Sequence, residues 1–442
     1  MKKILYVVYI SLISIGIVSC EEFLEGTNEN PNDPISVSPA ALLAPAELAL
    51  AFEYNSNISR FSGIFVQQVE GVARQWAGFN NYTLAGSNFE NDWTNFYVDV
   101  LQNLKIMTDN TTKEGYNHYV GVGKTLTAFS LLTMTDYWNS IPYSEAFAGI
   151  DLLQPKYDSQ ADIYAEVHKL LTEARTSFSS DDGGLALSGD EIYGNNIALW
   201  IKATHAIDAR AYLHQGLLSN TNYTNALASI NNAFSSSDEN FSFKFGSGAA
   251  TASPWYQFNR DRGDIGFNQT YGDALTSVND PRLDIYDGDG TSLFGDTVDS
   301  HEFFVIDQPV DLISYTELMF AKAECLLQSG GSQTDIKESY LEGIKSSFSS
   351  LGLTTSQYNT YISQTVVNPA VITLENIITQ KWFALYANPE SYSDWRRTGI
   401  PSLTPNNGTA IPTRLLYPQT EIELNSNTPN VTLTDKVDWD TN

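Results

Sequence analysis

Apolar residues recur at spacings of three and four along most of the chain after Pro39, which is the periodicity of amphipathic helices. One such stripe comprises Tyr119, Val122, Leu126, Phe129 and Thr133. A second comprises Ile163, Val167, Leu170, Leu171, Ala174 and Phe178. Ser159 and Asp162, just before the second stripe, have the S-x-x-D spacing of a helix N-terminus. Further helices are predicted over residues 89–107, 200–211, 224–234, 312–329, 334–349 and 371–387. The pattern therefore predicts a mainly α protein.

The predicted helices come in pairs, each of which must bury one face against a neighbour. This favours a tetratricopeptide-like helix-pair scaffold, although no repeat of fixed length is visible. Residues 241–309 differ, because Gly, Asp, Ser and aromatic residues dominate and no long stripe occurs. The apolar run Phe303–Ile306 in this stretch predicts a strand. Long irregular insertions of this kind usually carry function, so residues 241–309 are expected to form a loop-rich, ligand-facing half.

The N-terminus has the form of an export signal. Lys2 and Lys3 precede an apolar stretch from Ile4 to Val18, and small residues lead directly to Cys20. This arrangement resembles the lipobox of bacterial lipoproteins, in which the Cys thiol is lipidated. Residues 1–19 are therefore expected to be a signal peptide, Cys20 the lipidated residue and residues 20–34 a turn-rich tether. The alternative is an ordinary signal peptide with an incidental Cys.

The charge balance excludes one class of partner. The chain carries 52 acidic against 24 basic residues, for a net charge of −28. Such a field repels phosphate backbones, so nucleic-acid binding is not expected. The other cysteine, Cys325, continues an apolar stripe with Leu318 and Ala321 and is predicted to be a small buried hydrophobe.

Sequence patterns of catalytic and metal sites are incomplete throughout the chain. Gly123-Lys124-Thr125 matches the end of a phosphate-binding loop but lies inside a helical stripe. His205 and His214 share a predicted helix on opposite faces and cannot bind one metal ion. Residues 287–290 could contact Ca²⁺, but they lack EF-hand spacing and an acidic turn is favoured. We therefore predict no catalytic residue, no metal site and no cofactor.

Several segments resemble the SusD/RagB family of nutrient-binding lipoproteins. The most specific are residues 380–386, with the sequence QKWFALY, and residues 393–399, with the sequence SDWRRTG. Weaker matches occur at residues 28–34, 136–147, 254–258, 280–283 and 414–418. Together these matches extend over the whole chain that follows the predicted signal peptide.

The resemblance implies one SusD-like domain over residues 35–442, with a tetratricopeptide-like scaffold. It implies a binding protein rather than an enzyme, anchored by its lipid on the cell-surface side of the outer membrane. A SusC-like TonB-dependent outer-membrane transporter is the implied partner, and an oligosaccharide or a peptide is the implied ligand. The signature residues Trp382, Trp395, Arg396 and Arg397 are expected to pack inside the fold. Asp394 and Glu390 are expected to pair with the two arginines.

Saccharide binding needs exposed aromatic rings with hydrogen-bonding side chains beside them. Two irregular segments, residues 74–82 and 254–264, combine these features. The candidate ligand-binding residues are Trp76, Tyr82, Trp255, Tyr256, Arg262 and Asp264. For each aromatic residue, simple packing in the core is the alternative. A surface glycoside hydrolase and a pure interaction scaffold remain alternative functions.

Overall fold

The structure, a computed structural model, describes residues 37–287 and 303–442. The predicted lipidation at Cys20, the tether and residues 288–290 of the acidic turn lie outside the described residues. The helices and strands below belong to one unit, Pro39–Asn442.

The helices of the first half are α1 Pro39–Tyr54, α2 Asn57–Phe65, α3 Arg74–Asn80, α4 Glu90–Thr94, α5 Gln102–Glu114, α6 Asn117–Trp138, α7 Gln160–Phe178, α8 Ile197–His214 and α9 Asn220–Ile230. Those of the second half are α10 Pro254–Asp261, α11 Gln269–Ser277, α12 Leu283–Tyr286, α13 Tyr315–Gln328, α14 Gln333–Ser350, α15 Thr355–Ile362, α16 Leu374–Ala384, α17 Glu390–Thr398 and α18 Gln419–Leu424. The strands are β1 Val69–Gly71, β2 Phe241–Phe243, β3 Ile265–Phe267 and β4 Val310–Ile313.

Helices that follow one another in the chain pack against each other, as α5 to α9 do in sequence and as α13 does with α14. Helix α9 also packs on α13, which connects the two groups of helices. The mainly α, tetratricopeptide-like fold class is therefore confirmed. Ser159 caps the N-terminus of α7, and its side chain accepts a hydrogen bond from the backbone N–H of Asp162 as predicted.

Helix α6 is buried on almost every side, and its glycines explain how it fits. A Cβ added at Gly121 would lie 2.5 Å from the ring of Phe178, and one added at Gly123 would overlap the hydroxyl of Thr108. Lys124 pairs with Glu173 at 2.8 Å. The Gly123-Lys124-Thr125 sequence therefore serves helix packing.

Two predictions of local structure need correction. The helix predicted over residues 89–107 is interrupted by a π-helical segment, Asn95–Leu101, between α4 and α5. The strand predicted at Phe303–Ile306 is wrong, and the strand begins only at Val310. The two phenylalanines instead pack in an aromatic cluster, in which the Phe303 ring lies 5.1 Å from that of Tyr386 and the Phe304 ring 4.5 Å from that of Trp255.

The family-like signature of α16 and α17 is built into a buried network of charges. Arg397 contacts Glu324 and Asp394, each at 2.7 Å, and Lys381 contacts Asp394 at 2.8 Å. Arg396 does not join the expected ion pairs. Its guanidinium instead lies 4.1 Å from the ring centroid of Tyr392 and donates to backbone carbonyls.

Glu390 pairs with residues other than the two arginines of the signature. It contacts His214 at 3.0 Å, Lys381 at 3.6 Å and Arg210 at 3.4 Å. His214 also contacts Asp136 at 3.0 Å, so this histidine bridges two carboxylates. The network joins α6, α8 and α16 to α17. On α13, Cys325 is buried as predicted, and burial raises the pKa of its thiol.

Candidate functional site

A short antiparallel strand pair brings the two predicted ligand segments together. Strands β1 and β3 align Val69 with Phe267 and Gly71 with Ile265. A Cβ at Gly71 would overlap the backbone of Trp76, so only glycine lets α3 fold back over β1. We call the exposed side chains of residues 72–82 and 254–264 the paired-loop surface.

A buried carboxylate fixes two arginines on this surface. Asp264 accepts from Arg74 Nη1 at 2.7 Å and from Arg262 Nη2 at 3.0 Å. The Asp264 side chain is 1% exposed, whereas those of Arg74 and Arg262 are 59% and 40% exposed. Asp264 therefore orients the arginines and cannot itself face a ligand, contrary to the sequence prediction. Arg74 was not among the six candidates, although it opens the same aromatic segment.

The expectation that both tryptophans are exposed is wrong. Trp76 is 2% exposed and Trp255 is 1% exposed. The Trp76 ring lies 5.3 Å from the rings of Phe61 and Phe258. Helices α3 and α10 turn the two indoles inward, and each helix is too short to show a stripe in the sequence.

Of the two candidate tyrosines, Tyr82 packs in the fold and Tyr256 stays at the surface. Tyr82 is largely buried, with a left-handed backbone (φ 61°), and its hydroxyl accepts from the backbone N–H of Asn406 at 3.2 Å. Asn407 Nδ2 donates to the Asn81 carbonyl at 3.2 Å, so a segment of the C-terminal tail borders this surface. Tyr256 is half-buried and stays at the surface, with Arg260 over its ring at 6.0 Å.

Two polar groups beneath the paired-loop surface have no hydrogen-bond partner among the described residues. They are the Trp76 indole N–H and the amide of Asn259, which is 5% exposed. Buried polar groups are normally paired, so these two groups retain unused hydrogen-bonding capacity beneath the surface.

Buried charges support α10 from below. The Arg60 guanidinium lies 4.2 Å from the ring centroid of Phe258 and donates to the Pro254 carbonyl at 2.8 Å. Burial lowers the pKa of Arg60 to about 9, opposed by the charges of Asp92 and Glu53. Burial also raises the pKa of Asp92, and the neighbouring Glu53 raises it further.

A cavity of about 560 Å³ lies beside α10. Trp255 is the one sequence candidate that lines it, and the other lining residues include Phe304, Tyr386, Asn55, Lys244 and Gln308. The Tyr386 hydroxyl is buried and has no hydrogen-bond partner within the described part of the chain. The lining combines aromatic rings with amides and charged groups.

Within residues 37–287 and 303–442, no three His, Cys, Asp or Glu side chains come together as a metal-binding group. Among the described helices, none has the length and apolar character needed to cross a bilayer.

The sequence from residue 31 to residue 418 matches a family model, SusD-like, described as starch-binding and associating with the outer membrane. The chain belongs to this SusD-like family. The resemblance inferred from the signature residues is thus confirmed. No curated protein matches the chain.

Solved structures agree with the SusD-like fold. A SusD/RagB family protein from Bacteroides thetaiotaomicron superposes with a TM-score of 0.78 at 22% identity, covering 92% of this chain and 99% of its own. A chitin-binding SusD homologue from Flavobacterium johnsoniae gives 0.77 at 21% identity, covering 91% and 99%. A further chitin-binding protein gives 0.75 at 24% identity, covering 92% and 100%.

Proposed function

We propose that this SusD-like protein captures an oligosaccharide at the cell surface and delivers it to a SusC-like TonB-dependent outer-membrane transporter. Membership of a nutrient-binding family associated with the outer membrane carries the general part of this proposal. The predicted lipid on Cys20 would hold the protein at the membrane, since a multiply acylated cysteine is a stable anchor.

The observation that supports a saccharide is the chemistry of the paired-loop surface. Asp264 holds Arg74 and Arg262 in fixed positions while both arginine side chains stay exposed. Tyr256, six residues before Arg262, is half-buried at the same surface. Planar N–H donors suit sugar hydroxyls, and an aromatic ring suits the C–H face of a sugar. Trp76, Tyr82 and Trp255 would stiffen this surface from below.

The solved relatives widen the range of saccharides to be considered. Two of them are described as chitin-binding, whereas the family description names starch. We therefore include β-linked N-acetylglucosamine oligomers beside α-linked glucose oligomers. A peptide is the second ligand class, because exposed arginines would also suit a peptide carboxylate.

Binding without hydrolysis fits the carboxylates at this surface. A glycoside hydrolase needs two carboxyl groups about 5–10 Å apart that can face the substrate. Asp264 is buried with both oxygens occupied, and Asp261 is paired with Arg260 at 2.7 Å. Neither arrangement offers a free acid beside Tyr256.

Calorimetric titration of the full-length protein in detergent tests the proposal, with maltoheptaose, chitohexaose and a peptide library as ligands. We expect saturable binding of a saccharide, no new reducing ends, and at least a tenfold loss of affinity in Tyr256→Ala/Arg262→Ala. Tyr256→Phe keeps the ring and should bind within a few-fold of the wild type, and Lys345→Ala controls for loss of a distant surface charge.

The same titration has outcomes that contradict the proposal. Tight binding of peptides alone would replace the saccharide, and release of reducing ends would favour the hydrolase. If Tyr256→Ala/Arg262→Ala binds normally and Lys244→Ala does not, the ligand lies in the cavity beside α10. Purification in mild detergent should also recover a TonB-dependent transporter with the wild-type protein.

A further inference from the structure

A second groove lies where the π-helical segment Asn95–Leu101 meets residues 142–155 and Glu421 of α18. Its volume is about 360 Å³, and it shares no lining residue with the paired-loop surface or with the cavity beside α10. The lining residues are Trp93, Thr94, Tyr97, Val98, Gln102, Pro142, Ala146, Phe147, Pro155 and Glu421. We call it the lateral groove.

Two unusual backbone features form its walls. Tyr97 and Val98 belong to the π-helical segment Asn95–Leu101, and π-helical turns are rare and frequent at functional sites. Phe147 has a φ of 65°, in the left-handed region that bulky side chains seldom adopt. Both features bring aromatic rings to the groove at a conformational cost, which is typical of a site maintained for binding.

The rings form a continuous aromatic wall. The ring centroids of Trp93 and Tyr97 are 5.0 Å apart, and those of Tyr97 and Phe147 are 6.1 Å apart. The Tyr97 hydroxyl donates to the Pro142 carbonyl at 2.6 Å, and the Tyr157 hydroxyl donates to Glu421 Oε2 at 2.8 Å. These internal bonds fix the phenol groups, and Tyr97 stays half-buried at the edge of the groove.

The polar groups on the rim are free to bind a ligand. The side chains of Thr94 and Gln102, and the second carboxylate oxygen of Glu421, form no hydrogen bond with any described residue. Thr94 is exposed and Gln102 is half-buried, so both can meet a ligand from solvent. The rim thus supplies a hydroxyl, an amide and a carboxylate oxygen beside the aromatic wall.

We infer that the lateral groove is a second binding site for a neutral saccharide. A sugar would place its C–H face on the half-buried rings of Tyr97 and Phe147, and its hydroxyls would bond to Thr94, Gln102 and Glu421. Trp93 is only 5% exposed and would support these two rings from inside. Glu421 would repel an anionic ligand. Val98, which is 56% exposed, would suit a purely apolar ligand. Such a ligand would, however, leave the polar groups of Thr94, Gln102 and Glu421 without a partner.

The choice of a saccharide as the ligand rests on the proposed function. The test below distinguishes failure of the lateral site from failure of the proposed function. The full-length protein in detergent is titrated with maltoheptaose and with chitohexaose, and the stoichiometry of the tighter ligand is measured. We expect two molecules per wild-type protein and one per protein in Tyr256→Ala/Arg262→Ala. The single remaining site should weaken at least tenfold when Thr94→Val and Gln102→Leu are added.

Thr94→Val/Gln102→Leu in the otherwise wild-type chain provides the matched control. It should retain one site and unfold at the wild-type temperature, because neither side chain makes a hydrogen bond within the described residues. One molecule per wild-type protein, or two in Thr94→Val/Gln102→Leu, would overturn the lateral site while leaving the proposed function intact. No binding of either saccharide would overturn both. If Thr94→Val/Gln102→Leu binds saccharide as the wild type does but no longer co-purifies with the transporter, the groove is a contact for a protein. That result would overturn the saccharide assignment.

Discussion

Replacing Trp255 with alanine removes a side chain that the structure places in the core. The indole is 1% exposed and stacks on Phe304 with ring centroids 4.5 Å apart. Arg60 lies 5.4 Å from the ring centroid, and the indole N–H donates to Ser59 Oγ at 2.9 Å. The substitution therefore leaves a large cavity behind α10 and removes one buried hydrogen bond.

We expect Trp255→Ala to lower the free energy of unfolding by about 3–5 kcal/mol, the usual cost of truncating a buried aromatic residue. Loss of the hydrogen bond from the Trp255 indole N–H to Ser59 accounts for about 1 kcal/mol of this decrease. Ser59 keeps its own bond to the Ala387 carbonyl, so no further polar group is left unpaired. Since domains are stable by about 5–15 kcal/mol, the variant should be close to unfolding in mild urea.

Urea unfolding followed by circular dichroism measures the loss, with two variants for comparison. Trp255→Phe keeps a ring against Phe304 and should lose less stability than Trp255→Ala. Tyr256→Ala, on the next and half-buried position, should change the free energy of unfolding by about 1 kcal/mol or less. A loss below about 1 kcal/mol in Trp255→Ala would refute the packing described for α10 and would restore Trp255 as an exposed ligand contact.

Three further predictions concern the buried charges and the helix packing. Burial lowers the pKa of His214, but the charges of Glu390 and Asp136 outweigh it and raise the pKa to about 9. Protonated His214 therefore contributes up to about 3 kcal/mol to the free energy of unfolding. This contribution is complete below about pH 6.5 and is lost as the pH rises through 9. Urea unfolding across this range should show the fall in the wild type and not in His214→Gln. Arg397→Met leaves Glu324 and Asp394 buried without their shared partner and should cost about 3–5 kcal/mol, measured by the same unfolding method; a neutral result would show that the pair is hydrated. Gly123→Ala should cost about 1–3 kcal/mol through its clash with Thr108, and Thr108→Ala in the same chain should recover part of that loss, whereas additive losses would contradict the contact.

Long helices could be predicted from the sequence because packing repeats along them. The stripes from Tyr119 to Thr133 and from Ile163 to Phe178 lie within α6 and α7. Burial of Trp76 and Trp255 could not be predicted, because α3 and α10 have only seven and eight residues and each buries too few positions for a period to appear. Their burial is decided by distant partners such as Phe61 and Phe304.

Contacts between residues far apart in the chain account for the other differences. His214 is bridged to Asp136 and Glu390, which lie 78 and 176 positions away, and no local pattern indicates such a pairing. The sequence indicated residues 74–82 and 254–264 as ligand segments, and the pairing of β1 with β3 brings them together. The exposed residues of this surface differ from those expected, because Trp76, Trp255 and Asp264 are all buried.

The central claim is capture of an oligosaccharide and its delivery to a transporter. The test uses cells of the organism that makes this protein, from which its gene has been deleted. These cells are given back the wild-type protein or a variant, and their uptake of a fluorescent oligosaccharide that binds in the titration is measured. Wild-type protein should restore uptake, whereas Tyr256→Ala/Arg262→Ala and Cys20→Ala, each expressed at the wild-type level, should not. Uptake that is unaffected by loss of the protein, or fully restored by Tyr256→Ala/Arg262→Ala, would contradict the account.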